Sequence, residues 1–337
     1  MARFAGSSRT FAWWGGGPER ARRATCSRMN EVGQANCHGD RNASAAIDAA
    51  LVRRLVAEQF PRYRELPVAP VIPGGHDNRM FRVGGSLVAR LPSASRYAPH
   101  LQTEFEWLPR LAGHLPLPIP QPVGLGAPGA GYPWNWTLNR WIPGEPASRA
   151  STGDLREFAH RLAGFLASLH EIDAVGGPAP GPQNFHRGGK LSTYRAEAEL
   201  LLDRCKSLIN HRAALETWRV ALESCWQGNP VWVHGDVAAG NLLVRDGHLH
   251  AVIDFGQLAA GDPACDLTVA WTLLDEDSRA LFRATLGLDG LVWQRARGWA
   301  LWKQLLVLDS VRPFRTVNAR RIQEVQQVIR DITTPAD

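Results

Sequence analysis

Between the short apolar stretches Val231–Val233 and Leu242–Val244 the chain reads His234-Gly-Asp236-Val-Ala-Ala-Gly-Asn241, and Ile253-Asp254-Phe255-Gly256 follows. A carboxylate and a carboxamide five residues apart, on a loop joining two strands, can point at the same place. The return strand brings Asp254 beside them, thirteen residues after Asn241. That set suits phosphoryl transfer, which needs positioning and charge neutralisation more than covalent chemistry. One carboxylate must face the acceptor hydroxyl, orient it and take its proton. A neutral oxygen and a second carboxylate must hold Mg²⁺ between the phosphates, because hard cations take oxygen ligands. The plainer alternative, that Asp236 and Asn241 only support a hairpin turn, leaves the second motif unexplained.

Three other patterns mimic functional sites. Gly124-Leu-Gly126-Ala-Pro-Gly129 satisfies G-x-G-x-x-G, but Pro128 lies inside it and no helical pattern follows, so a hairpin turn is expected. His38-Gly39-Asp40 has Ala45 where an amide ligand would stand. His248-Leu-His250 offers two imidazoles on a strand face without a third metal ligand nearby. No G-x-x-x-x-G-K-[ST] phosphate loop occurs.

The elements that must position the candidate residues are legible in outline. Residues 1–43 are rich in Gly, Arg, Ser and Asn and read as a basic, disordered tail. A helix is expected over Ser44–Phe60, with Ser44 as N-cap. Strands follow at Val68–Ile72, Met80–Val83 and Ser86–Leu91, a helix at Tyr97–Leu108, and strands at Gln121–Leu125 and Trp134–Trp141. From Asp154 onward long amphipathic helices take over (Asp154–His170, Leu191–Leu208, Ala213–Trp226). Strand character returns at Val231–Val233, Leu242–Val244 and Leu249–Ile253. The expected fold class is α+β: a small β-rich lobe over 44–141 and a larger helical lobe over 142–337.

Composition narrows the partners. The net charge is +6, but six arginines against one acid in the first 28 residues supply most of it, so no basic groove for nucleic acid is expected. Five scattered cysteines without a C-x-x-C pair fit reduced thiols. No apolar run is long enough to span a membrane, and a cytoplasmic location is expected. A monomer or a homodimer fits equally.

H-G-D-x-x-x-x-N with I-D-F-G downstream resembles the aminoglycoside phosphotransferase family, relatives of the protein kinases, whose loop reads H-R-D-x-x-x-x-N. Gly261-Asp-Pro-Ala-Cys-Asp-Leu267 resembles the family's G-D-P-x-x-D-L, and Pro143-Gly-Glu145 its interlobe P-G-E. Gly74-Gly75-His76-Asp77-Asn78 looks like the turn that covers the nucleotide phosphates. The resemblance spans roughly residues 44–335 and implies a protein-kinase-like two-lobed fold, with ATP and Mg²⁺ as cofactors. It implies Asp236 as catalytic base and Asn241 and Asp254 as magnesium ligands. Asp262 and Asp266 would hold the catalytic loop and cap the next helix. Where many kinases place a lysine to hold the α- and β-phosphates, this chain has Arg90, with Glu104 as its expected partner and Glu106 as the fallback. Ala239 stands where the family often has Pro, which should loosen the loop. Adenine would be met by backbone groups around Arg140, Trp141 and Ile142.

The resemblance implies a hydroxyl-bearing small molecule as acceptor, an aminoglycoside or other antibiotic, in keeping with a resistance enzyme. A metabolic kinase for an amino alcohol or amino sugar is the alternative, and a nucleotide-binding pseudokinase the rival that Arg90 favours. Asp275-Glu276-Asp277 is the one acidic run suited to a polycation, though such a run at a helix start reads more simply as a cap. Trp271, Trp293, Trp299 and Trp302 would suit a larger, partly apolar acceptor such as a macrolide if any of them lined the site.

Overall fold

The computed structural model describes residues 47–72, 74–75, 77–314 and 318–334. The basic tail, the Ser44 cap and the His38-Gly39-Asp40 triplet lie outside these residues. The chain divides into two compact units: residues up to 109 with 120–142, and 110–119 with 143 onward.

In the first unit, α1 (Ala49–Gln59) starts later than expected because Asp48 caps it, accepting the Leu51 N–H at 2.8 Å. Its Leu51, Val52, Leu55 and Val56 recur at helical spacing and are buried. They share a core with Phe81, Val83, Leu91, Trp136 and Leu138 of the sheet. That sheet holds β1 (Val68–Pro70), β2 (Asn78–Val83), β3 (Leu87–Pro92), β4 (Pro122–Gly126) and β5 (Trp136–Arg140). Every pairing is antiparallel, in the order β1-β2-β3-β5-β4. Helix α2 (Ala98–Leu111) follows β3. The G-x-G-x-x-G segment is the expected hairpin: Gly129 and Tyr132 exchange backbone hydrogen bonds at 3.0 and 2.8 Å. A Cβ on Gly124 would come within 2.3 Å of the Phe60 ring, and one on Gly126 within 2.2 Å of Trp136. These glycines make room for aromatic rings.

The second unit contains β6 (Glu145–Pro146), α3 (Leu155–Glu171), α4 (Arg195–Cys205), α5 (His211–Ala221), β7 (Val231–Val233), β8 (Leu242–Arg245), β9 (His248–Val252) and β10 (Ala259–Gly261). Helices α6 (Val269–Thr272), α7 (Glu276–Leu286), α8 (Gly290–Val311) and α9 (Ala319–Thr333) complete it. Two small antiparallel sheets, β6-β8-β9 and β10-β7, hold the candidate loop between them in sequence. Strands β6 and β10 have no signal in the sequence, since Glu145–Pro146 and Ala259–Gly261 hold no β-branched or aromatic residue. The helix expected over Leu191–Leu208 begins as a 3₁₀ turn, Leu191–Tyr194, and only then becomes α4. The four C-terminal tryptophans are all buried, so they are core residues here. Asp275 caps α7 through the Ser278 N–H at 3.0 Å, which accounts for the acidic run. The α+β class, with a small sheet-rich part and a larger helical part, is borne out.

Candidate active site

Residues 234–241 connect β7 to β8 and are pinned from behind. Both oxygens of the fully buried Asp266 accept backbone N–H groups of the loop, from His234 and from Gly235, each at 2.7 Å. The His234 ring accepts the Asp236 N–H through Nδ1 at 3.1 Å and so carries its proton on Nε2, which donates to the Ile253 carbonyl at 3.0 Å. Gly235 has φ +85°, and a Cβ there would sit 2.3 Å from the Gln257 carbonyl oxygen, so no other residue fits. Asp262 accepts the Ala264 N–H at 3.1 Å and is gripped by Arg295 at 2.7 and 3.2 Å. Scaffolding is what both aspartates do.

With the loop fixed, Asp236 and Asn241 meet. The Asn241 carboxamide donates to the Asp236 carbonyl at 2.9 Å and to Asp236 Oδ2 at 3.3 Å. Its nitrogen is thereby spent on Asp236, which leaves its oxygen as a ligand atom. The Ile253 N–H donates to the Asn241 carbonyl at 2.9 Å and ties the two motifs together. Asp254 itself is held at φ 68°, a left-handed conformation that costs a non-glycine residue about 1–2 kcal/mol. An amide oxygen and a carboxylate are the donor types Mg²⁺ takes, the remaining positions going to phosphate oxygens and water. Among the described residues no group of three or more His, Cys, Asp or Glu side chains could form a closed protein cage for a metal. His248 instead pairs with Glu157 at 3.2 Å, on the protein surface.

Two cations near Asp236 go beyond what the sequence motifs indicate. Lys303, on α8, donates to Asp236 Oδ1 at 3.0 Å with its side chain only 14% exposed. Arg187 is buried, donates through Nε to Gln257 at 2.8 Å, and lies 5.2 and 5.1 Å from the Trp299 and Trp302 ring centres. Burial pushes the Asp236 carboxyl up, but Lys303 and Arg187 outweigh it and hold the group below the usual carboxylate range. Asp236 is therefore an ionised, half-buried carboxylate. A signal for Lys303 is present: it is one of three lysines in a strongly arginine-biased chain, and it interrupts an apolar helix.

In the first unit, Arg90 forms an ion pair with Glu104. It stands on β3, the middle strand of the sheet and buried at every residue, so it is no edge-strand surface arginine. The 74–78 turn joins β1 to β2. Gly75 accepts from the Arg79 guanidinium at 3.2 Å and the Asp77 carbonyl accepts the Ser93 N–H at 2.8 Å, while His76 lies outside the described residues. At the end of β5, the Arg140 N–H donates to Gln121 at 2.9 Å and the Trp141 N–H to Ser86 at 2.8 Å. The Trp141 ring carries the Arg82 guanidinium 4.2 Å from its centre, and Ile142 ends the first unit.

A family model described as the phosphotransferase enzyme family, APH, matches residues 68–300. The chain belongs to this family. It is thus a phosphotransferase. No curated protein matches it by sequence. Among solved structures, an APH(2'') enzyme in complex with GDP and kanamycin superposes with a TM-score of 0.63 at 20% identity, covering 83% of this chain and 97% of that one. The macrolide 2'-phosphotransferase MphH from Brachybacterium faecium gives 0.53 at 19%, covering 85% and 99%. An APH(2'')-IIa ternary complex with streptomycin and ATP gives 0.54 at 19%, covering 85% and 98%. At such identities these likenesses establish the kinase-like fold of this phosphotransferase and nothing finer. Lys303 lies just beyond the matched residues.

Proposed function

We propose that the enzyme transfers the γ-phosphoryl group of ATP to a hydroxyl of a small molecule, with Asp236 as the base. The observation that carries this reading is the Asp236 carboxylate itself: ionised, half-exposed, and fixed at both oxygens by Asn241 and Lys303. The acceptor hydroxyl is oriented by Asp236 and gives up its proton to it as the new O–P bond forms. The bond from the γ-phosphorus to the bridging oxygen breaks, and ADP leaves. Bound Mg²⁺ neutralises phosphate charge, and Asn241 and Asp254 are the residues that would hold it.

Donor recognition falls to groups of the first unit. Arg90, aimed by Glu104, suits the α- and β-phosphates, and the 74–78 turn offers backbone to the remaining phosphate oxygens. The purine edge would meet backbone around Arg140, Trp141 and Ile142. Since the Arg140 and Trp141 N–H groups already donate within the unit, that contact falls to carbonyls and to Ile142. The solved relatives carry GDP, ADP or ATP, which supports a purine nucleotide without choosing between adenine and guanine.

Those relatives act on aminoglycosides and macrolides, and an antibiotic hydroxyl is the acceptor that family membership supports. The cations at Asp236 disfavour a polycation there, so within that range a weakly charged acceptor fits better. A metabolic kinase is the second reading, and Lys303 is the observation favouring it over an aminoglycoside enzyme. ADP release with ATP and Mg²⁺ separates them across aminoglycosides, macrolides and small hydroxylated metabolites. Turnover stimulated by a weakly charged acceptor is expected; ATP binding without stimulation by any acceptor would contradict the proposed reaction.

A further inference from the structure

The cations beside Asp236 have donors to spare. The Lys303 ammonium carries three protons and spends one on Asp236 Oδ1. Arg187 is buried to 7% exposure, and its Nη1 is enclosed without a hydrogen-bond partner. A buried guanidinium nitrogen left unpaired is costly unless an anion completes it. Two positive charges thus bear on Asp236, with unspent donors on both, and Lys303 also bears on the buried Asp266.

Arg187 is also held in place by unusual backbone. Phe185 and His186 both have φ 51° and Gly188 has φ 73°, so three of four consecutive residues are left-handed. Such strain persists only where the surroundings enforce it, and it concentrates at binding sites. Here the Tyr194 hydroxyl donates to the Phe185 carbonyl at 2.6 Å, and the Asp262 N–H donates to the Gly188 carbonyl at 2.7 Å. A Cβ on Gly261 would lie 2.2 Å from the Gly188 oxygen, so the two backbones are in direct contact. Trp302, tilted over Tyr194 with ring centres 4.0 Å apart, and Trp299, edge-on to Tyr194 at 5.5 Å, flank the guanidinium.

The two oxygens of Asp236 divide the site. Oδ2 faces Asn241, on the side of the proposed magnesium ligands, and Oδ1 faces Lys303 on α8. Lys303 lies on the second side, the one left to the acceptor when Asn241 holds the metal, and Arg187 bears on the same carboxylate through its charge. We propose that Lys303 and Arg187 form an oxyanion subsite beside Asp236, and that the acceptor is a hydroxylated acid, bearing a carboxylate or phosphate ester, and not a polyamine. This rests on the phosphotransfer reading and narrows it. Glu197, whose carboxylate accepts the Trp302 Nε1–H at 2.8 Å, is exposed and spends that oxygen on the indole.

Calorimetric binding to the full chain loaded with Mg²⁺ and ADP tests this without turnover. The probes are gluconate, glucose 6-phosphate, the neutral polyol glucitol, and kanamycin as polycation. The expected result is that at least one acid binds about tenfold or more tightly than glucitol. Lys303→Met and Arg187→Met should each reduce that acid to the level of glucitol, while Lys303→Arg keeps the preference and guards against a fold defect. A preference for gluconate would name a carboxylate as the anion, and one for glucose 6-phosphate a phosphate ester. Glucitol binding as tightly as the acids, kanamycin binding more tightly than either, or no acid binding at all would overturn the proposal. So would anion binding that disappears once ADP is present, since the subsite would then serve the nucleotide. Failure of the phosphotransfer reading is separately visible, as acceptor-independent ADP release that Asp236→Asn leaves unchanged.

Discussion

At the scale of single residues, the chemistry rests on how Asp236 is kept charged. Burial opposes its ionisation, and Lys303 and Arg187 restore it. Because the folded-state value is depressed, the charged form persists below the ordinary carboxylate range near pH ~4, and base function is lost only as pH falls through that lower value. Replacing Lys303 with Met removes one compensating charge while leaving the burial. The acid limb of the kcat/KM profile should then move to higher pH, and a limb that stays in place would show that Lys303 does not set the charge of Asp236. The histidine, the two aspartates and the asparagine are readable in sequence because their roles depend on spacing within one loop and its return strand. Lys303 stands out in sequence as a rare lysine in an apolar helix, but its pairing with Asp236 does not, because it reaches across 67 residues. Only the fold makes that pair.

At the scale of elements, the catalytic loop is held by a residue that touches no substrate. Asp266 satisfies the His234 and Gly235 N–H groups, and removing its carboxylate orphans two buried donors. Asp266→Ala should cost about 2–5 kcal/mol in chemical denaturation and lower kcat with it; a fully stable variant would show that the clamp is dispensable. Gly235→Ala should be more damaging to activity, since the new Cβ meets the Gln257 backbone, whose side chain holds Arg187. Long elements such as α3 are legible from their apolar period, though Asp154, read as its first residue, is its cap. The sequence reading places the start of α1 at Ser44, whereas Asp48 caps it, because its carboxylate accepts the Leu51 N–H. Strands β6 and β10 are set by their partners, β8 and β7, not by any pattern of their own.

At the scale of the whole molecule, the division into a sheet-rich unit and a helical unit is visible as a change in texture near Asp154. That residues 110–119 join the second unit is not; there the Val252 N–H donates to the Pro118 carbonyl at 3.1 Å, a backbone bond without a sequence signature. Each unit carries one charge arrangement that stability measurements can reach. In the first, Glu104→Ala would remove the carboxylate paired with the buried Arg90 guanidinium and should cost about 3–5 kcal/mol, read as a loss of thermal stability. In the second, burial lowers the His170 imidazole to about 4 from its ordinary 6.5. Its stability contribution is therefore present above pH 6.5 and drains as pH falls toward 4, and His170→Phe should flatten that part of the stability–pH curve.

The central claim is that a positioned, ionised Asp236 takes the proton of the acceptor hydroxyl. The most direct measurement compares wild type with Asp236→Asn in acceptor-dependent ADP release at saturating ATP and Mg²⁺, with nucleotide affinity measured in parallel. A fall in kcat of roughly 10²-fold or more, with nucleotide affinity retained, is the expected result. An Asp236→Asn enzyme that turns over at the wild-type rate would contradict the account.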